Sequence, residues 1–331
     1  MRKSENIFGK NSSYDESQIV LLSVPWSVTA SFGAGADKGP NVVVRSSSQM
    51  DFFSLEARDI RDQGICLLSS PKFIKNLNKR TRKKALPIIA LEEQAPGNFS
   101  KDLLAEINQA GADLENWVYE ETGSIHRDGK SFGLLGGDHS VSEGAIRYFS
   151  EVYKEDLGIL HVDAHADLRR CYQGFKHSHA SVMYNVTKLA KPPYLVQVGV
   201  RDYSEEEYIS GKNHPKIYTF FDEKIKKDLF EGKTWSFIVE AILDKLPKKI
   251  YISLDVDGLD PALFPHTGTP VPGGLSFDQM DYLLKRLIKS LHHEVIGFDL
   301  VEIASPEKKQ HLWDGQVGAR LLYKLCQALV L

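Results

Sequence analysis

The sequence is poor in cysteine, in long apolar runs and in any surplus of positive charge. Its 331 residues include only three cysteines, Cys66, Cys171 and Cys326. An odd number so widely spaced, in a chain large enough to build its own core, excludes a disulfide-stapled scaffold and fits a reducing compartment. No uninterrupted apolar stretch approaches the ~18 residues of a membrane-spanning helix. The opening MRKSENIFGKNSSYDESQ has no apolar run of the kind found in a secretory signal. These absences point to a cytoplasmic protein with no membrane partner. Lys and Arg number 41 against 44 Asp and Glu, a net charge of −3. A partner gripped through its phosphate backbone calls for a basic surplus, so nucleic acid is not expected and a small molecule is. With 42% apolar residues, and with 25 Gly and 14 Pro near average usage, the chain is neither disordered nor of low complexity.

What is present is an alternation of short apolar runs with longer amphipathic ones, the pattern of parallel strands covered on both faces by helices. Strands are predicted at Ile19–Trp26, Ser131–Leu135, Gly158–Val162, Tyr194–Val200, Ile217–Phe221, Lys249–Leu254 and Val295–Leu300. Helices are predicted at Lys101–Tyr119, Ser140–Tyr153, His179–Lys188, Thr234–Lys245, Phe277–Leu291 and Gln316–Val330. Asp138 and Ser140 can cap the helix after Gly136-Gly137, and Ser276 precedes the periodic FDQMDYLLKRLIKSL. The fold class is α/β with a mostly parallel central sheet. One basic run, KFIKNLNKRTRKK over residues 72–84, reads as a solvated helix face or surface insertion. The glycines of SFGAGADKGP match neither a dinucleotide fingerprint nor a phosphate loop and read as an ordered loop.

Three segments place carboxylates and imidazoles where strands end. GGDHS sets His139 just after a strand and a Gly-Gly turn. HVDAHADLR spaces Asp163, His165 and Asp167 two apart after an apolar strand, and ISLDVDGLDP does the same with Asp255 and Asp257. Ligands of open α/β sheets bind beyond the carboxyl ends of the strands, so these groups can converge. Carboxylates crowded into a partly buried crevice need cations, and two divalent metals meet that need. Oxygen ligands with a minority of imidazoles suit Mn²⁺ or a similar ion. A metal pair can lower the pKa of a shared water enough to supply hydroxide near neutrality, which implies hydrolysis.

GGDHS, DAHADLR and SLDVDGLDPALFPHTGTPVPGG, in this order, resemble the three signature segments of the arginase/agmatinase ureohydrolase family, most of all the agmatinases. The resemblance runs from about Ile19, through VPWSVTASFGAGADKGP, to the C-terminal helix. It implies a three-layer α/β/α fold, two Mn²⁺ per subunit, and hydrolysis of a guanidinium or amidine group by a metal-bridging hydroxide, commonly releasing urea. By motif position it implies that His139 binds one manganese, Asp163 bridges both, His165 binds the second and Asp167 the first. Asp255 would be the second bridging ligand and Asp257 would complete the ligand set of the second metal. Glu302, in GFDLVEIASP, would pair with the substrate guanidinium, with Asp167 accepting a hydrogen bond from the hydroxide. His179, in the SHA segment, resembles the histidine that shuttles protons, and a pKa near 6.5 suits that task. His177 is the alternative shuttle.

The resemblance implies a guanidino or formimidoyl substrate and a homo-oligomer, trimer or hexamer. Agmatine-like compounds are favoured over arginine because the Ser- and Asn-rich loop of arginases is not recognisable in RCYQGFKHSHAS. Arginase and formimidoylglutamase activities are the alternatives. Two departures bear on the substrate: Ser27 stands where agmatinase-like chains usually carry Asp, and His266 replaces a small residue before TGTP. A zinc deacetylase of the related fold is the reading from another class, with His292-His293 as its histidine pair; a metal-binding protein without turnover is the third. Because the site spans His139 to Glu302, one domain over residues 1–331 is expected, with residues 1–18 as a flexible N-terminal segment.

Overall fold

The computed structural model describes residues 4–33, 35–92, 100–304 and 313–331. Nine strands form one sheet: β1 (Ser4–Glu5), β2 (Ile19–Val24), β3 (Ile65–Leu68), β4 (Ser131–Gly136), β5 (Leu157–Val162), β6 (Tyr194–Val198), β7 (Ile217–Phe220), β8 (Lys249–Asp255) and β9 (Glu294–Val301). Their order is β1-β3-β2-β4-β9-β8-β5-β6-β7. β1 runs antiparallel to β3 and every other pair is parallel. β1 to β4 make up one side of the sheet and β5 to β7 the other, and the chain then returns to insert β8 and β9 between β4 and β5. The carboxyl ends of β2, β4, β9, β8 and β5 therefore lie side by side on one edge.

The described helices are α1 (Gly39–Ser47), α2 (Lys72–Glu92), α3 (Lys101–Arg127), α4 (Glu143–Tyr153), α5 (Val182–Thr187), α6 (Glu205–Asn213), α7 (Asp222–Phe230), α8 (Trp235–Leu243), α9 (Phe277–Ile288) and α10 (Trp313–Ala328). Successive strand side chains point to opposite faces, and the core divides accordingly. Ile19 and Leu21 of β2, with Ile250, Ile252 and Leu254 of β8, join α8, α9 and α10 in one apolar cluster. Val20, Leu22 and Val24, with Tyr251, join α2, α3, α4 and α5 in the other. This is the three-layer α/β/α architecture expected from the sequence. β2 and β5 are buried along their whole length, which is why they read as continuous apolar runs rather than alternating ones. Truncating a residue such as Leu254, which is fully buried, to Ala would cost about 2–5 kcal/mol.

All seven expected strands are present. β2 ends two residues early because Pro25 offers no N–H to a ladder, and β6 stops before Gly199, whose φ of 97° leaves the extended region. The helix expected at Lys101–Tyr119 continues to Arg127, and the one expected at His179–Lys188 is a 3-10 turn over His179–Ser181 followed by α5. β1, β3, α1, α6 and α7 carried no clear sequence signal, and the loop read at SFGAGADKGP leads straight into α1 through Pro40. The segment expected to be flexible over residues 1–18 is packed where it is described: β1 pairs with β3, and Ile7 and Phe8 are buried. No helix among the described residues is long and apolar enough to cross a membrane.

Candidate metal centre

The chain leaves β4 through Gly137, where a Cβ atom would sit 1.7 Å from the carbonyl oxygen of Trp26, so only glycine lets the turn pass so close to the segment after β2. Asp138 caps the next turn, its Oδ1 accepting from the backbone N–H of Ser140 at 3.2 Å. His139 follows, almost fully buried. Its Nε2 lies 2.9 Å from Oγ of Ser253 on β8, and that hydroxyl donates to Oδ1 of Asp299 on β9 at 3.0 Å. With the serine proton directed at Asp299, His139 carries its own proton on Nε2, which leaves the Nδ1 lone pair facing the crevice.

Around that atom three carboxylates converge. Nδ1 of His139 lies 3.0 Å from Oδ2 of Asp163, 3.1 Å from Oδ2 of Asp167 and 3.3 Å from Oδ2 of Asp255. Yet this buried nitrogen has no hydrogen-bond partner. One nitrogen and three anionic oxygens around a common point, with no proton placed between them, is the arrangement a divalent cation requires. A second group stands beside the first. Nδ1 of His165 is 3.1 Å from Oδ2 of Asp257 and 3.5 Å from Oδ1 of Asp163. Asp163 thus offers one oxygen to each side, and His139, His161, Asp163 and Asp167 on one side and Asp163, His165 and Asp257 on the other are each compact enough to hold a metal ion. All the donors are oxygen or imidazole nitrogen, and no thiolate approaches. The residues present fit a pair of hard-to-borderline divalent cations.

The electrostatics agree. Burial and the charge of Asp163 push Asp167 up to about 6, and burial with the charges of Asp257 and Asp163 holds Asp255 well above the ordinary carboxylate range. Burial disfavours a charged His165, but Asp257 and Asp163 overcome this and raise it to about 12. Carboxylates this crowded call for positive charge, which imidazolium provides in the metal-free chain. Oδ1 of Asp255 accepts the backbone N–H of Asp257 at 2.9 Å, which leaves Oδ2 directed at the His139 group.

Glu302 stands just past the end of β9, buried rather than facing solvent. Its Oε1 accepts the backbone N–H of His139 at 3.0 Å, and its own N–H donates to the carbonyl of Gly137 at 2.8 Å. Burial and the charge of Asp138 raise its carboxyl well above the usual range. Glu302 and Asp167 both adopt left-handed backbone, with φ of 62° and 53°. Such strain in non-glycine residues concentrates at functional sites.

His179 sits in the wall of a cavity of about 150 Å³ together with His165, Asp167, Tyr172 and Asp202. Its ring nitrogens are within 3.5 Å of Oγ1 of Thr29 and Oγ of Ser31. In the metal-free chain, burial first, then the positive charges of protonated His165 and His139, depress it to about 3. His177 does not reach the cavity, because its Nδ1 pairs with Oε2 of Glu143 at 3.0 Å. His266 is tied to the start of α10 through Oδ2 of Asp314 at 2.8 Å. Ser27 faces a different cavity, its N–H bonded to Oδ1 of Asn78 at 2.9 Å. His292 and His293 lie on the far side of α9 near Phe237 and Arg286, remote from the cluster.

His161 was missed by the sequence reading. It is fully buried on β5 with Nε2 2.8 Å from Oδ2 of Asp163. Gln197 on β6 donates its amide to the carbonyl of Ala166 at 2.8 Å and to Nδ1 of His161 at 3.1 Å, while its Oε1 accepts from Thr219 at 3.0 Å. His161 therefore accepts at Nδ1 and donates at Nε2 to the same Asp163 oxygen that faces His139. The available signal was an imidazole inside an apolar strand two residues before Asp163, and hence on the same face.

A sequence profile of the Arginase family matches residues 17–329. An N(1)-aminopropylagmatine ureohydrolase of Thermus thermophilus is 31% identical over 318 residues, covering 96% of this chain and 92% of that protein. An agmatinase of Halalkalibacterium halodurans is 28% identical over 312 residues, covering 92% and 91%. Among solved structures, the agmatine ureohydrolase of Thermoplasma volcanium superposes with a TM-score of 0.72 at 24% identity, covering 97% of this chain and 93% of that one.

Proposed function

Because the chain belongs to the arginase family, we propose that it is a ureohydrolase with two divalent metals, manganese in the cell, that cleaves the C–N bond of an agmatine-like guanidino compound to urea and an amine. The observation that carries this reading is the pair of donor groups joined through Asp163, one built on His139 with Asp167 and Asp255, the other on His165 with Asp257. Bound there, the two cations supply a water activated as hydroxide near neutral pH and a Lewis acid beside the guanidinium carbon.

The protein's own groups position the rest. Glu302 presents its carboxylate at the floor of the crevice, where a guanidinium brings the opposite charge that this buried group lacks. Asp167 accepts a hydrogen bond from the attacking water and aligns it with the guanidinium carbon. With His165 and His139 serving as neutral metal ligands, the positive charges that help depress His179 are gone, and its ring, steadied by Thr29 and Ser31, takes up a proton and passes it to the departing amine. The same reading makes the chain one domain that works as a homo-oligomer, trimer or hexamer. The relatives named for agmatine and aminopropylagmatine support a substrate with a cationic tail over arginine or formimidoylglutamate.

The test is turnover of manganese-loaded protein on agmatine, N(1)-aminopropylagmatine, guanidinobutyrate, arginine and formimidoylglutamate, with urea and formamide measured separately. Urea from the first two is expected, and Asp255→Ala is expected to lose both metal and turnover. Metal-loaded wild type that turns over none of the five would overturn the reading.

A further inference from the structure

A second cavity, of about 510 Å³, opens on the other side of the segment after β2, between that segment and α2. Its lining includes Lys38, Lys75, Lys79, Arg82 and Lys83, against only two carboxylates, Glu5 and Asp37. This local excess of three positive charges belongs to a chain whose net charge is −3. Lys75, Lys79 and Lys83 stand four apart and so share one face of α2. Like charges at that spacing destabilise a helix by about 0.2–0.5 kcal/mol per pair. Among the described residues, Lys84 is the one cation of the basic run with an ion pair, to Glu106. Glu5 is engaged by the hydroxyl of Ser69 at 2.5 Å.

Two further groups are partly spent and partly free. Arg82 gives Nη1 to the carbonyls of Val28 at 3.0 Å and Ala30 at 2.5 Å, which fixes the guanidinium in place. Among the described residues its Nε and Nη2 hydrogens have no acceptor. Burial makes its charge costly, only partly offset by Asp138 and Asp37. Asn78, itself buried, spends its Oδ1 on Ser27 and keeps its amide hydrogens unpartnered among the described residues. A preset guanidinium, an amide, several serines and four lysines around one concavity form a donor-rich site with little acceptor capacity.

We propose that this cavity binds a small tetrahedral oxyanion, either inorganic phosphate or the phosphate group of a small metabolite, with Arg82 and Asn78 at its floor and Lys75, Lys79 and Lys83 at its rim. The cavity lining contains no aromatic platform for bases, so a compact anion fits it better than a single-stranded nucleic acid. This site is separate from the metal centre and stands whatever substrate that centre takes.

The test is equilibrium dialysis of the metal-loaded protein with labelled sulfate, inorganic phosphate and glycerol 3-phosphate at constant ionic strength. One saturable site per chain is expected. Its Kd should rise by about tenfold or more in Lys79→Glu/Lys83→Glu, the loss of charged hydrogen bonds, and change little in Lys79→Arg/Lys83→Arg. Binding should persist in Asp255→Ala. Tighter binding of glycerol 3-phosphate than of phosphate identifies a metabolite, and the reverse identifies free phosphate. Binding that fails to saturate, that survives the Glu pair unchanged, or that disappears in Asp255→Ala overturns the proposal. So does a Glu pair that alters the assembly mass while no anion binds, since the lysines would then face a second copy of the chain.

Discussion

Nε2 of His161 lies 2.8 Å from Oδ2 of Asp163, and Gln197 fixes the ring that makes this contact. Asp163 is the one carboxylate shared by both donor groups, so its orientation governs both. Removing the partner that orients a ligand typically costs about 10–100-fold in metal affinity. His161→Phe is expected to weaken metal binding by that order, read by competition with a chelating dye and independent of turnover. Gln197→Leu should move affinity in the same direction by a smaller factor.

The crowded carboxylates of Asp163, Asp167, Asp255 and Asp257 make the folded state hungry for cations. A divalent ion present at about a hundred times its Kd stabilises the fold by about 2.7 kcal/mol. Calorimetry is therefore expected to show Tm rising with Mn²⁺ and falling with a chelator. In Asp163→Ala the metal-dependent part of that rise should largely vanish, and an unchanged response would place the ions elsewhere.

Burial opposes charge on His177, but its hydrogen bond to Glu143 and the fields of Glu143 and Glu115 outweigh this and raise its pKa above 6.5. A group raised on folding stabilises fully below its unfolded pKa and loses that contribution as pH rises through the folded value. The stability of wild type over His177→Gln, about 1–2 kcal/mol for a charged hydrogen bond, should be greatest below pH 6.5 and shrink at alkaline pH. Urea unfolding across that range measures it; a difference that grows with pH would mean the imidazole is held neutral.

Tyr323 ties α10 to the segment before β3. Its hydroxyl accepts the N–H of Ile60 at 3.0 Å and donates to Oδ1 of Asp59 at 2.7 Å. Ile60 is fully buried, so Tyr323→Phe leaves its N–H without a partner at a cost of about 1–3 kcal/mol. A lower Tm with unaltered metal binding and turnover is the expected result, since the residue packs among Phe8 and Phe52, far from the cluster.

Strands such as Gly158–Val162 were legible because burial on both faces writes an apolar run into the sequence, and the site aspartates were legible because they interrupt such runs at a spacing of two. β3 was not, being four residues long, nor was α6, whose EEEYISGKN is held by a Ser204–Glu207 capping box rather than by an apolar stripe. α1 carries Val42-Val43-Val44, residues of modest helix propensity that burial against α10 overrides. The downward shift of His179 comes from burial and from the charges of His165 and His139, and its ring is held by Thr29 and Ser31, groups up to 150 positions away that no local pattern reveals. The partner of His177 was hidden for the same reason.

The left-handed backbone of Asp167 and Glu302 sets the site against the stability of the chain that carries it. Each such residue costs of order 1–3 kcal/mol relative to one at ease there. Glycine would relax both positions while deleting both carboxylates. Under selection for heat resistance alone, a library varied at these two codons should drift toward glycine and asparagine; under selection for turnover it should return to Asp and Glu. The two positions place a stability–activity trade-off within the backbone itself, where repacking the core cannot relieve it.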